Sequence, residues 1–423
     1  MPASAQPGQP HRMTTGPNRT KLRLSGTNLE RAADHNQRVT LHAIRVNGSL
    51  TRVELAAITG LTPPAIANIT KRLLADGLIE EAGQRRGGRG QPPTKLRIRR
   101  DACHAIGVNI DRDHITMVVV DFAGETLARV SEEVDYALPD HVRSLYRRSI
   151  RAMLETAGIQ RASLVGIGVA VPDDLGHVDL PGRPAAYAEW DGIDMASLFD
   201  EPFELPVFVE NDAAAAAMGE MQLGLGQKYA SFFYILISSG LGGGLVVDGA
   251  YWRGADGRSG ELGFMHAPSS DGGVVQIQAL VSLSGLAGHL KEHGLTLADA
   301  IGMEAPSAKA ATCVDDWVER AAAQLVVPLE AVNCLINPGI VLLGGRLPSV
   351  LVERLAERAH DVLKASAANV PIVAPVMRAA LSVDAPAVGA AILPFSHFLL
   401  PKPGALWKAP GGDGTGRAIQ PAH

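Results

Sequence analysis

The chain has 423 residues, is 46% hydrophobic and 20% charged, and carries a formal net charge of -5. Such a length implies two or three domains with ample core, so no disulfide or metal staple is required for folding. Three dispersed cysteines, Cys103, Cys313 and Cys334, exclude a disulfide framework and suit a reducing cytoplasm. No apolar run reaches the ~18 residues of a membrane-spanning helix, so no membrane partner is expected. The net acidity argues against nucleic acid only when the chain is averaged. Residues 1–100 hold 17 Lys and Arg against 6 Asp and Glu, a balance of +11 that leaves −16 on the rest. A basic head on an acidic body is the charge pattern of a DNA reader joined to another module.

Residues 1–27 are polar, Pro-rich and basic, and are expected to be a disordered tail without a secretory signal. Residues 28–100 read as a winged helix-turn-helix. Val39, Leu41, Ile44 and Val46 mark a first helix that stops near Gly48. Thr51 and Glu54 have the spacing of a capping box and open a short second helix. Thr59-Gly60 forms the turn. Thr62 is expected to cap a third helix with Pro63 at its first position, where the missing N–H costs nothing. Ile66, Ile69 and Leu73 form its inward stripe, and Gly77 stops it. Its outward residues are Pro63, Pro64, Ala67, Asn68 and Lys71. Asn68 can bond an adenine edge and Lys71 a phosphate. Strands near 78–81 and 95–99 flank a Gly-rich loop with Arg85, Arg86 and Arg89, a wing suited to phosphates or a minor groove. A surface helical hairpin is the plainer reading of the same pattern.

From residue 105 the texture becomes α/β. Strands are expected at 105–110, 115–121, 126–134, 164–171, 206–209, 231–237, 244–247 and 340–343. Helices are expected at 141–157, from Ala213 onward, and at 274–293, 314–337 and 349–367. Hairpinned strands followed by crossovers occur twice, which implies two similar lobes with a cleft between them, together spanning 101–400. Residues 401–423 read as a flexible tail. Trp190 and Trp252 are read as core residues, with stacking on a ligand as the alternative.

Five segments carry a resemblance. They are Glu210-Asn-Asp-Ala-Ala-Ala-Ala-Ala-Met-Gly-Glu220, Ser238-Ser-Gly-Leu-Gly-Gly-Gly244, Gly260-Glu-Leu-Gly263, Asn337-Pro-Gly-Ile-Val-Leu-Leu-Gly-Gly345 and Val388-Gly-Ala-Ala391. In order and spacing they resemble the ROK family (repressors, open reading frames and sugar kinases) over about 103–401. The resemblance implies a two-lobed actin-like (ribonuclease-H-like) body behind the winged head, the layout of the family's repressors. It places Asn211, Asp212, Glu261 and Gln278 at a sugar, with Asp212 where the kinases keep their catalytic base. Asp212 is alternatively the N-cap of the Ala-rich helix.

The family's first phosphate turn, Asp-x-Gly-Gly-Thr, falls on Asn109-Ile-Asp-Arg-Asp113. Side chains there would block backbone approach to phosphates, and two carboxylates would repel them. The glycines after Ser238 form either a second phosphate loop or a tight strand turn. The family's sugar- and zinc-binding His falls on Phe264, with His266 a possible substitute two residues on. Its zinc segment, Cys-x-Cys-Gly-x-x-Gly-Cys, has no counterpart, since there is no Cys between Gly263 and Ala310. Neither metal nor ATP is therefore expected. The leading expectation is a sugar-responsive transcriptional regulator, a repressor that binds operator DNA as a homodimer or tetramer and answers to a sugar or sugar phosphate. The alternatives are an ATP-dependent sugar kinase with a DNA-binding head, and a DNA-binding protein whose body only dimerises.

Overall fold

The computed structural model describes residues 29–84, 93–173, 175–176, 184–255, 257–269, 272–302, 306–366, 372–381 and 383–401. The two expected tails and Arg85, Arg86 and Arg89 lie outside the described residues.

The head opens with α1 (Leu29–Asn47), which starts ten residues before Val39, the first of the apolar residues that mark it. A short strand, β1 (Ser49–Thr51), follows, then α2 (Arg52–Thr59) and α3 (Pro63–Ala75). The capping box closes as expected: Thr51 Oγ1 accepts from the Glu54 amide at 3.3 Å, and Glu54 Oε2 accepts from the Thr51 amide at 2.8 Å. Gly60 adopts φ 68°, the left-handed conformation that ends α2 without a Cβ penalty. Thr62 precedes α3 but makes no side-chain cap, so Pro63 alone sets that start. The wing is β2 (Ile79–Gln84) and β3 (Thr94–Ile98), with β1 on the far edge of β3. The sequence gives no sign of β1, because three residues are too short for a period.

The body consists of two five-stranded sheets with one topology. The first lobe has β4 (His104–Ile110), β5 (His114–Asp121), β6 (Thr126–Glu133), α4 (Pro139–Ala157), β7 (Leu164–Val171) and β8 (Val207–Asn211), in the order β6-β5-β4-β7-β8. After it comes α5 (Asp212–Leu223). The second lobe has β9 (Phe232–Ile237), β10 (Leu241–Val247), β11 (Ala250–Tyr251), a hairpin of β12 (His266–Pro268) and β13 (Val274–Gln276), then α6 (Leu283–Glu292), α7 (Leu297–Ile301), α8 (Ala308–Leu335), β14 (Ile340–Gly345), α9 (Ser349–Ser366), β15 (Val376–Arg378) and α10 (Ala385–Phe398). Its main sheet runs β11-β10-β9-β14-β15. In both sheets the first three strands are antiparallel and the last two join in parallel. The single helix expected at 274–293 is corrected: its first residues form β13, and only Leu283–Glu292 is an α-helix. Val274 and Val275, adjacent β-branched residues, favour that strand.

The final helix of each lobe crosses to the other sheet. α5 packs on β10 and β9, and α10 packs on β4 and β7. The approach is so close that a Cβ on Gly389 would sit 1.8 Å from the Ala215 carbonyl oxygen, and one on Gly168 1.8 Å from that of Ala390. The head shares the body's core. Leu41 and Ile44 of α1 belong to one apolar cluster with Phe122, Phe395 and Leu400. Gly389→Val should cost about 2–3 kcal/mol of stability through overpacking. Urea denaturation of the intact chain checks this, and an unchanged midpoint would show that the crossing tolerates a side chain.

Candidate functional site

Between the lobes lies a cleft of about 560 Å³. The N-terminus of α5 enters it from below. Asn211 caps that helix, its Oδ1 accepting from the Ala214 amide at 3.0 Å. The cap expected of Asp212 is thus corrected: Asp212 is the first helical residue, and its Oδ1 accepts from the Ala213 amide at 2.7 Å. Asn211, Asp212, Glu261 and Gln278 all line the cleft. His266 does not: it lies exposed on β12, opposite Gln276, and Phe264 faces the cleft instead. Phe264 closes the Leu262–Phe264 turn at the cleft, and His266 opens β12 beyond the lining. Trp190 is buried and donates to the Ala137 carbonyl at 2.7 Å, whereas Trp252 is exposed rather than core.

Several residues at the cleft escaped the sequence reading. Asp173 lines it just after β7, and Arg258, beside the lining, sits 3.1 Å from Glu261 and 3.6 Å from Asp173. Arg112 and Gln278 both reach Gly240, where an added Cβ would lie 3.1 Å from each side chain. Ser284 Oγ donates to the Ser239 carbonyl at 2.7 Å and ties α6 to that turn. Of these, Arg112 alone had a signal, as a side chain in a position the family fills with glycine.

Burial pushes the Asp212 carboxyl up to about 7, with the Asp111 charge adding to it. Glu261 is also raised to about 7, by burial and by its hydrogen bond and charge interaction with Asp173, against the pull of Arg258. Each carboxyl can therefore donate or accept a hydrogen bond near neutral pH. That repertoire matches ligand hydroxyls.

The first phosphate turn is occupied by an ion-pair cluster. Arg346, just after β14 in the second lobe, pairs with Asp113 and, at 2.8 Å, with Glu133 of the first lobe. Asp111 Oδ2 lies 3.7 Å from the same guanidinium. Burial alone would raise Asp113, yet its hydrogen bond with His114 and the Arg346 charge hold it down at about 2. The expected repulsive carboxylates are thus partly neutralised from across the cleft. The glycines after Ser238 divide: Ser238 to Gly240 make the turn, while Gly242, Gly243 and Gly244 lie inside β10. A Cβ on Gly243 would meet the Gly260 carbonyl oxygen at 2.2 Å, so this glycine is required for packing.

On the head, Pro63, Pro64, Ala67, Asn68 and Lys71 are all exposed on one face of α3, opposite buried Ile66, Thr70 and Leu73. Arg52 Nε donates to Thr70 Oγ1 at 3.0 Å and locks α2 to α3. Two arginines of α1 reach the body. Arg45 donates to the Phe122 carbonyl at 2.9 Å and to Gln222 Oε1, at the far end of α5, at 3.0 Å. Arg38 donates to the His397 carbonyl, near the end of α10, at 2.9 Å.

A winged helix-turn-helix rigidly seated on a two-lobed, kinase-like body defines a DNA-binding regulator. Residues 34–80 match a winged helix-turn-helix DNA-binding family, and residues 105–396 match the ROK family. The chain belongs to the ROK family. It is 33% identical to an uncharacterized protein of Sinorhizobium fredii over 85% of this chain and 90% of that one. It is 28% identical to the xylose repressor of Bacillus spizizenii over 54% of this chain, spanning 60% of that repressor. A ROK family transcriptional regulator of known structure, a homologue of the Escherichia coli Mlc protein, shares the fold with a TM-score of 0.62, 20% identity, and coverage of 86% and 96% of the two chains.

Asp212 also sets a pH dependence. Its folded value lies above its unfolded value near 4, so between about pH 4 and 7 the native state keeps a proton that the unfolded chain has released. Stability from this group falls as pH rises through that window and is level above it. Asp212→Asn should therefore denature at a higher temperature than the parent at pH 8, by up to about 4 kcal/mol of stability. The gap should close towards pH 4, and a gap independent of pH would refute the buried carboxyl as its source.

Proposed function

We propose that the protein is a repressor whose cleft binds a neutral sugar and whose operator affinity changes when that sugar is bound. One observation carries the reading: the helix that begins at the cleft residues Asn211 and Asp212 ends at Gln222, which holds Arg45 of the head. Ten residues at 1.5 Å each make this a rigid link of about 15 Å. A sugar that prefers one lobe arrangement shifts α5, and through Arg45 the seat of the head. The relative named as a xylose repressor makes pentoses the first candidates.

Charge favours a neutral ligand over a phosphorylated one. Four carboxyls, Asp111, Asp173, Asp212 and Glu261, line the cleft, two of them raised to about 7, against Arg112 in the lining and Arg258 beside Glu261 and Asp173. The same imbalance, with Arg346 already engaged by Asp113 and Glu133, supports a body that neither holds ATP nor phosphorylates its ligand. The cleft residues then act as a binding site free of zinc, in a cytoplasmic protein. Two heads on a homodimer or tetramer would read paired half-sites, with Asn68 at a base edge and Lys71 at a phosphate. No helix among the described residues is long and apolar enough to cross a membrane.

The test pairs two titrations of the full chain. Neutral pentoses, hexoses and polyols are screened by calorimetry, and affinity for the footprinted operator is measured with and without each hit. A hit should shift operator affinity, and Glu261→Ala should weaken the sugar by at least about tenfold. Gln222→Ala should keep sugar affinity and lose most of the shift. ATP-dependent sugar phosphorylation abolished by Asp212→Asn would overturn the reading. Normal operator binding with no ligand in the panel would leave the body as a scaffold. Separately, Lys71→Ala should lower the slope of log affinity against log salt by about 1. An unchanged slope would take Lys71 away from the phosphates.

A further inference from the structure

Away from the cleft, α6 and α8 pack side by side in the second lobe and bring four ligand-type side chains together. His289 and His293 are one helical turn apart at the C-terminal end of α6, the spacing that puts two imidazoles on one face. Cys313 and Asp316 stand three residues apart on the facing side of α8. The candidate ligand atoms of His289, His293 and Cys313 all lie within 4.8 Å of one another. His289 Nε2 is 3.4 Å from Asp316 Oδ2.

The imidazole of His289 is the informative group. The residue is 8% exposed, yet its Nε2, with Asp316 Oδ2 3.4 Å away, makes no hydrogen bond. A buried polar atom left in this state is unfavourable unless something fills the position. Its neighbours are otherwise prepared. His293 Nδ1 lies 3.0 Å from the His289 carbonyl, which can only accept, so the proton sits on Nδ1 and Nε2 carries a lone pair. That second bond is the one a metal-ligating histidine usually makes. The α6 C-terminus adds its dipole, which favours a cation. A pocket of about 520 Å³, lined by His293, Thr312, Cys313 and Asp316 among others, opens the cluster to solvent. Asp316 Oδ2 also lies 2.9 Å from Arg320 Nε, which orients the carboxyl at the site.

We propose that His289, His293 and Cys313, completed by Asp316, bind one divalent cation of the zinc class. Two imidazoles, a thiolate and a carboxylate form a borderline-soft set of four, the number and type that tetrahedral zinc takes. Ligand atoms around such an ion stand about 3.4–3.7 Å apart, so small rotations of exposed His293 and of Asp316 complete the closure. Binding releases the Cys313 proton to solvent. The site owes nothing to the family's zinc segment, which is absent, and it revises the expectation of a metal-free chain. Its effect is to clip α6 to α8. Because Ser284, at the other end of α6, holds the Ser239 turn of the cleft, the clip steadies one cleft wall.

The experiment uses the full chain, stripped with a chelator and titrated with Co(II). One ion per chain is expected, with a near-ultraviolet thiolate-to-cobalt band and the visible bands of a tetrahedral centre. Cys313→Ser should lose the thiolate band. His293→Gln, at an exposed position, should weaken cobalt and zinc by at least about tenfold. Cys334→Ser and Glu261→Gln should change neither. Zinc should displace cobalt and raise the melting temperature of the parent but not of His293→Gln. Absence of the thiolate band, its survival in Cys313→Ser, or unaltered affinity in His293→Gln would each overturn the proposal.

Discussion

The crossing of α5 over α10 is the constraint on which the rest of the molecule depends. Each helix leaves one lobe and lies on the sheet of the other, and the two meet through backbone where Gly389 faces Ala215. Backbone in contact with backbone leaves no flexible side chains to absorb a shift. Movement of one lobe must therefore travel along a helix rather than dissipate in its packing. Both helices also end beneath α1, at Gln222 and at His397, where Arg45 and Arg38 receive them. The head thus rests on the two elements that report how the lobes are arranged.

Electrostatics opposes an easy opening of the lobes. Arg346 belongs to the second lobe, and its partners Asp113 and Glu133 belong to the first. Separating the lobes would leave Arg346, now 13% exposed, without its partners. Breaking such a half-buried pair costs more than an exposed pair would. The pair and the crossed helices both join the two lobes. What remains free is a change in closure around the cleft's own carboxyls. Burial holds Asp212 and Glu261 near 7, so a ligand that supplies hydroxyl partners removes part of the cost of keeping them there.

Much of this was readable from residue order, and the exceptions have physical causes. Long, strongly patterned elements stood out: β7 at Leu164–Val171 and α9 from Ser349 have the limits their apolar runs suggest, within a residue. The capping box of α2 was plain because both partners lie within four residues. The turn at Ser238, by contrast, looked longer than it is, since glycine marks a close neighbour as readily as a turn. The cleft motifs pointed to Asn211, Asp212, Glu261 and Gln278 as one group, and the fold brings those four together. Asp173, Arg258 and Arg346 carried no local signal, because their importance arises from partners far along the chain. The same holds for the head's seat, where Arg45 and Gln222 are separated by 177 positions.

The charge division of the chain limits how the body can influence the head. A body carrying −16 would repel DNA if its field reached the duplex. Salt screens exposed charges within about 8 Å at physiological ionic strength, while the α5 link alone spans about 15 Å. Charges around the cleft are therefore too distant to act on DNA through the field. What joins the body to the head is direct contact, through Arg38 and Arg45 on α1. The acidity of the body is then felt locally, and the basic head is the part of the chain whose charge suits phosphate.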